Sequence, residues 1–125
     1  MDLLGGPLSL PIVSARLRTH LEKLQIPDNE FKKLRFAPDF FLLNFFKSHN
    51  CISLEQSVGW TRDADGWLQP GAELVIAGSE SPQAADVFRL DGTSNCILFT
   101  DAAAQSFVGK GFRGLAFLQI KCVAG

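Results

Sequence analysis

The run Phe40-Phe41-Leu42-Leu43-Asn44-Phe45-Phe46 constrains this chain more than any other stretch. Its length and near-uniform apolarity suit a strand covered on both faces, although a buried helical turn has the same signature. Asn44, inside the run, needs a hydrogen-bond partner once it is taken from water. The chain around it has 125 residues, is 46% apolar and contains eleven Phe. That is enough to close a core without metal or disulfide staples, and it excludes disorder. One domain over residues 1–125 is the expectation.

The flanking sequence gives the other elements. Ser14 is a good helix N-cap. After it Leu17, Leu21 and Leu24 recur at spacings of four and three among Arg16, Arg18, Glu22 and Lys23. This predicts an amphipathic helix of about three turns, ended by Pro27-Asp28-Asn29. Phe31 to Phe36 predicts a first strand, with a turn at Pro38-Asp39. Cys51 to Ser57 reads as a short irregular piece. Asp63-Ala64-Asp65-Gly66 is a hairpin signal between two strand-like stretches. Pro70-Gly71 is a second turn, Leu74 to Ile76 a short strand, and Gly78 to Gln83 a loop.

Val87 to Leu90 and Cys96 to Phe99 read as a further hairpin joined through Asp91-Gly92. Thr100 caps a second helix, Asp101 and Lys110 complement its dipole, and Gly111 closes it. Ala103, Ala104, Phe107 and Val108 are its expected inner face. Leu115 to Val123 predicts a last, central strand. The fold class is therefore α+β, a mainly antiparallel sheet with two main helices.

Charge and cysteine usage bear on function. Residues 55–101 carry two basic side chains, Arg62 and Arg89, against eight acidic ones, a balance of −6 in a chain whose net charge is −1. Such a segment disfavours DNA or RNA and favours a basic protein partner, while the plainer reading is an ordinary solvated loop region. The three cysteines, Cys51, Cys96 and Cys122, are odd in number and widely spaced, with no CxxC pair. Free thiols in a reducing cytoplasm fit them better than a disulfide framework or a zinc site. Residues 1–13 lack the basic leader of a signal peptide, and no apolar stretch reaches membrane-span length.

The candidates for chemistry each have a plainer reading. His49 and Cys51 could form an activated thiol pair, but no third group orients them, and a buried or edge thiol is expected. His20, among Arg18, Glu22 and Lys23, is expected on the wet face of its helix. Asp63 and Asp65 lack the further ligands of a calcium loop. Gly109-Lys110-Gly111 ends a helix where a phosphate loop would begin one. Lys32, Lys33 and Arg35 read as a solvated strand face. No catalytic residue, metal or cofactor is expected. Trp60 and Trp67 bracket the acidic loop, and the plainer reading packs both rings against the sheet. The sharper reading makes Trp60, Arg62, Asp63, Asp65 and Trp67 a protein-binding edge, with Trp as anchor and carboxylates steering a basic partner.

The order of the motifs also resembles a known family. Pro11-Ile12-Val13-Ser14 before an Arg/Leu-rich helix, Phe40-Phe41-Leu42-Leu43-Asn44, and Cys51-Ile52-Ser53-Leu54-Glu55-Gln56-Ser57 resemble the immunity protein 11 family. So do Val87-Phe88-Arg89-Leu90, Cys96 to Asp101, and Gly114-Leu115-Ala116-Phe117. The C-terminal half is also similar to the double-CxxCG group of immunity proteins, without that group's cysteine pairs. The resemblance implies a cytoplasmic protein that binds a cognate toxin domain, such as a basic nuclease, and occludes its active site, with no nucleic acid or membrane as partner. A non-immunity interaction or adaptor domain and a small cysteine-dependent enzyme are the alternatives. The oligomeric state is open.

Overall fold

The computed structural model describes residues 3–4, 11–35, 37, 39–93, 96–115, 117 and 119–123. The chain begins with two short strands, β1 (Leu3–Leu4) and β2 (Ile12–Ser14), and passes directly into α1 (Ala15–Leu21). The Ser14 hydroxyl accepts the N–H of Leu17, as the cap predicts. α1 is shorter than its leucine spacing implies. It stops at Glu22, and the chain turns so that the Gln25 carbonyl accepts the N–H groups of Asp86 and Val87. The Gln25 N–H in turn donates to the Asp86 carboxylate at 2.8 Å. These tertiary bonds hold Gln25 out of the helix, and Leu24 and Ile26 reach the core from the following loop.

β3 (Asn29–Lys33) and β4 (Phe40–Phe45) complete a four-stranded antiparallel sheet of order β1-β2-β4-β3. The first strand of the Phe-rich region thus runs earlier than Phe31 to Phe36, and Phe36 lies outside the described residues. β4 is interior, as its apolarity predicts, but only one of its faces is fully covered. Register puts Val13 opposite Phe41 and Phe31 opposite Leu43 on that face, under Leu17 and Leu21 of α1. On the other face Ile12, Leu42 and Asn44 are half-buried. Asn44 finds its partner there, donating to the Glu30 carboxylate at 3.3 Å.

The remainder is built from three two-stranded pieces, not from extensions of the first sheet. β5 (Thr61–Arg62) and β6 (Leu68–Gln69) form the hairpin signalled by Asp-Gly, with Gly66 at φ +88°. β7 (Val75–Ala77) is followed by a single 3-10 turn at Gly78–Glu80, within the predicted loop. β8 (Val87–Arg89) and β9 (Ile97–Phe99) form the other expected hairpin, although Ser94 and Asn95 of its turn lie outside the described residues.

α2 (Asp101–Gln105) starts at Thr100, whose hydroxyl accepts the N–H of Ala103. Ala103 and Phe107 face inward, but Val108 is 69% exposed. It falls in the unwinding turns after Gln105, where the helical face no longer holds. The expected last strand is reduced to β10 (Lys121–Val123), which pairs in parallel with β7. It is a largely exposed edge piece and not a central strand. Ala116 and Leu118, within the predicted stretch, lie outside the described residues.

Two apolar clusters result. One joins Val13, Leu17, Leu21, Leu43, Phe45, Val87 and Phe107; the other joins Cys51, Leu68, Ile76, Ala85, Phe88, Leu90 and Leu98. β8 serves both, because adjacent residues of a strand point to opposite faces: Val87 enters the first and Phe88 the second.

Candidate functional site

The β5–β6 hairpin is set by parity. Thr61 pairs with Gln69 and Arg62 with Leu68, so odd positions share one face and even positions the other. Leu68 is buried, and Trp60 packs half-buried against the second cluster with its indole N–H enclosed. Trp67 therefore points the opposite way and is 50% exposed. The two Trp do not form one surface. Only Trp67 is presented to solvent.

The remaining predicted site residues divide in the same manner. Arg62 turns inward as a brace. Its guanidinium donates to the Gly66 carbonyl at 2.8 Å and to Asn50 Oδ1 at 2.6 Å, and lies 3.5 Å from the Asp91 carboxylate. Asp91 also accepts the Ser48 hydroxyl at 2.7 Å, and the Leu68 N–H donates to the Gly92 carbonyl. The hairpin is thereby tied to both the 48–50 and 91–92 turns. At its base Gly71 stacks against the backbone of Val58, Gly59 and Trp60 with no room for a Cβ.

Asp63 is consumed by the turn. One carboxylate oxygen accepts the N–H groups of Asp65 and Trp67 at 2.9 and 3.0 Å, and the other accepts the Gln69 side-chain amide at 3.1 Å. Asp65 is exposed at the tip and makes no side-chain hydrogen bond or ion pair among the described residues. Asp63, Asp65 and Trp67 are all exposed, but the Asp63 carboxylate is engaged within the turn, so the part of the predicted edge free to meet a partner is Asp65 beside Trp67. Sequence reasoning missed the bracing roles of Ser48, Asn50 and Asp91, because nothing local marks a partner so far along the chain.

The other candidates take plainer places. Cys51 is 0% exposed, and burial first, then the neighbouring Cys122 and Cys96 thiols, push its pKa up to about 11. A thiol so held is protonated and shut from solvent at neutral pH. The His49 ring stacks edge-on against Phe88 at 5.7 Å. At Gly109-Lys110-Gly111 both glycines are left-handed, and the Lys110 and Gly111 carbonyls accept bonds from Arg16 at 2.9 and 2.8 Å. This loop offers carbonyl oxygens, the wrong polarity for phosphate. Lys32, Lys33 and Arg35 are exposed. Among the described residues no group of three or more His, Cys, Asp or Glu stands together as metal ligands would.

His20 departs from its expected place on a wet helix face. Its ring is packed 4.3 Å from that of Phe107 and 5.4 Å from that of Phe112, with Nε2 at 2.9 Å from the Ser106 hydroxyl. α2 and the loop after it cover this side of α1. Burial, then the ammonium groups of Lys23 and Lys110, hold its pKa below the ordinary histidine value. The folded state therefore binds a proton less readily than the unfolded one. Stability is present above the unfolded value, about 6.5, and is lost as pH falls through the lower folded value. Thermal melts at stepped pH should show this loss, and His20→Gln should flatten that part of the profile.

No family model matches the chain, and no curated protein matches it either. No helix among the described residues is long and apolar enough to cross a membrane.

Proposed function

We propose that the chain is a cytoplasmic immunity protein that neutralises a bacterial toxin domain by binding it, without a catalytic step of its own. The supporting observation is the β5–β6 tip, where a half-exposed Trp67 stands beside the exposed Asp65 carboxylate, unpaired among the described residues, on a braced turn. An aromatic anchor held in place loses little conformational freedom on binding, and the adjacent carboxylate favours a basic partner. The −6 balance of residues 55–101 extends that preference over the surrounding segment. The resemblance of the ordered motifs to those of the immunity protein 11 family suggests a toxin as the class of partner. Occlusion of a basic nuclease active site is the mechanism this combination favours.

The test is co-expression with a cognate toxin domain, sought in the neighbouring reading frames, read as growth and as complex formation. Trp67→Ala should weaken the complex by about 2 kcal/mol, roughly 30-fold in Kd. Asp65→Lys should slow association, and added salt should slow the native pair, because exposed charges are screened within about 8–10 Å. Neither substitution touches a bond that holds the turn, so melting temperatures should stay unchanged. Full protection by the Trp67→Ala, Asp65→Lys double variant, with native binding kinetics, would take the tip out of the interface.

A further inference from the structure

β3 lies at the end of the four-stranded sheet, and its hydrogen-bonding polarity is fixed by its neighbours. Leu34 donates to the Phe40 carbonyl and Phe46 to the Asp28 carbonyl, each in register with the β3–β4 ladder. Alternation in an antiparallel ladder then turns the backbone groups of Glu30 and Lys32 toward β4. The N–H and C=O groups of Asn29, Phe31 and Lys33 point outward and meet no partner among the described residues. An open edge of this kind is a template for another strand.

The sequence of that edge complements itself. A two-fold axis through Phe31 sets Phe31 opposite Phe31 of a second copy and Asn29 opposite its Lys33, all through outward-pointing backbone groups. It also sets Glu30 opposite the second copy's Lys32, twice, at the closer-spaced positions of the ladder. Within one chain Glu30 and Lys32 already lie on one face, 3.5 Å apart, so pairing would join four alternating charges. A groove of roughly 310 Å³ is lined by Leu21, Glu22, Leu24, Ile26, Asn29, Glu30 and Phe31. The second copy's Lys33, opposite Asn29, would enter near the Glu22 carboxylate. Exposed lysines on an edge ordinarily discourage pairing; here the symmetry gives Lys32 an acidic counterpart.

We propose that the outer edge of β3 pairs antiparallel with the same edge of a second copy of this chain, continuing the sheet across a two-fold axis at Phe31. Such an interface is isologous, each residue meeting its complement on the other copy. It is distinct from the β5–β6 tip, so toxin protection and dimerisation can fail separately.

Sedimentation equilibrium of the full chain should give twice the chain mass. Glu30→Lys and Lys32→Glu should each be monomeric, since each places like charges opposite one another. Mixed in equal amounts, the two variants should form a heterodimer, because the two basic side chains of one then face the two acidic side chains of the other. That rescue cannot come from a variant that has failed to fold. Lys33→Pro, which deletes an outward N–H and leaves the β4 ladder intact, should be monomeric with an unchanged circular dichroism spectrum. A native chain that stays monomeric at its highest soluble concentration would overturn the proposal. So would a dimer that persists in both single charge variants, or one whose two variants do not pair when mixed.

Discussion

Phe45→Ala should destabilise the fold by about 3–5 kcal/mol, while Phe46→Ala, one residue along, should change stability by less than about 0.5 kcal/mol. Phe45 is 8% exposed and belongs to the first core cluster; Phe46 is 62% exposed, just past the end of β4. Removing the first ring takes its apolar area out of the core and leaves a cavity between α1 and the sheet that the surroundings only partly close. Against a typical total stability of about 5–15 kcal/mol, that is a large fraction. Phe41→Ala should fall between the two, since Phe41 is half-buried and carries the Arg18 guanidinium 4.4 Å above its ring. Urea melts of the three variants check the order. Equal costs at positions 45 and 46 would mean that both faces at the end of β4 are covered.

That contrast also shows where sequence reading succeeds and where it stops. The Phe40–Phe46 run marked a core element and suited a strand, although its apolarity alone fits a buried helical turn as well. It did not tell which face was covered, since apolarity on both faces hides the alternation that would mark the wet one. The caps at Ser14 and Thr100 were legible because a cap bond spans three residues. The end of α1 was not, because Gln25 is drawn out by Asp86 and Val87, partners about sixty residues away that no local signal announces. His20 was misplaced for the same reason. Its helix positions it between charged neighbours, but the turns after α2, with Ser106, Phe107 and Phe112, fold back over it and half-bury it.

The hairpin carries the same lesson into the candidate site. Asp-Ala-Asp-Gly announced the turn, and the Trp residues on either side suggested a paired surface. The pairing register decides otherwise: once Arg62 meets Leu68, Trp60 and Trp67 must fall on opposite faces. Of the residues singled out from sequence, Trp67 and Asp65 are exposed with side chains not engaged in the turn, Arg62 and Asp63 hold the turn in place, and Trp60 packs against the second core cluster.

Arg62→Ala should therefore behave as a loss of structure and not as the loss of a surface contact, lowering stability by about 1–2 kcal/mol, since its partners are solvent-accessible. The guanidinium makes hydrogen bonds to the Gly66 carbonyl and Asn50 and an ion pair with Asp91, and its side chain is 21% exposed. Hydrogen bonds to charged groups contribute about 1.5–3 kcal/mol each when removal leaves a shielded partner unsatisfied. They do not add fully here, because the partly exposed Asp91 and Asn50 can recover water. Arg62→Lys should restore little, since a single ammonium cannot reproduce the planar fork that spans the turn carbonyl, Asn50 and Asp91 together. Amide hydrogen exchange should place the damage: protection at Asp63 and Leu68, whose N–H groups bond to the Trp67 and Gly92 carbonyls, should fall before that of β4. Binding should weaken in Arg62→Ala only as far as the tip loses its order, so the loss should shrink on cooling or in a stabilising osmolyte. If instead Arg62→Ala kept full stability and lost binding, Arg62 would be a direct contact to the partner, and the inward brace would have to open in the complex.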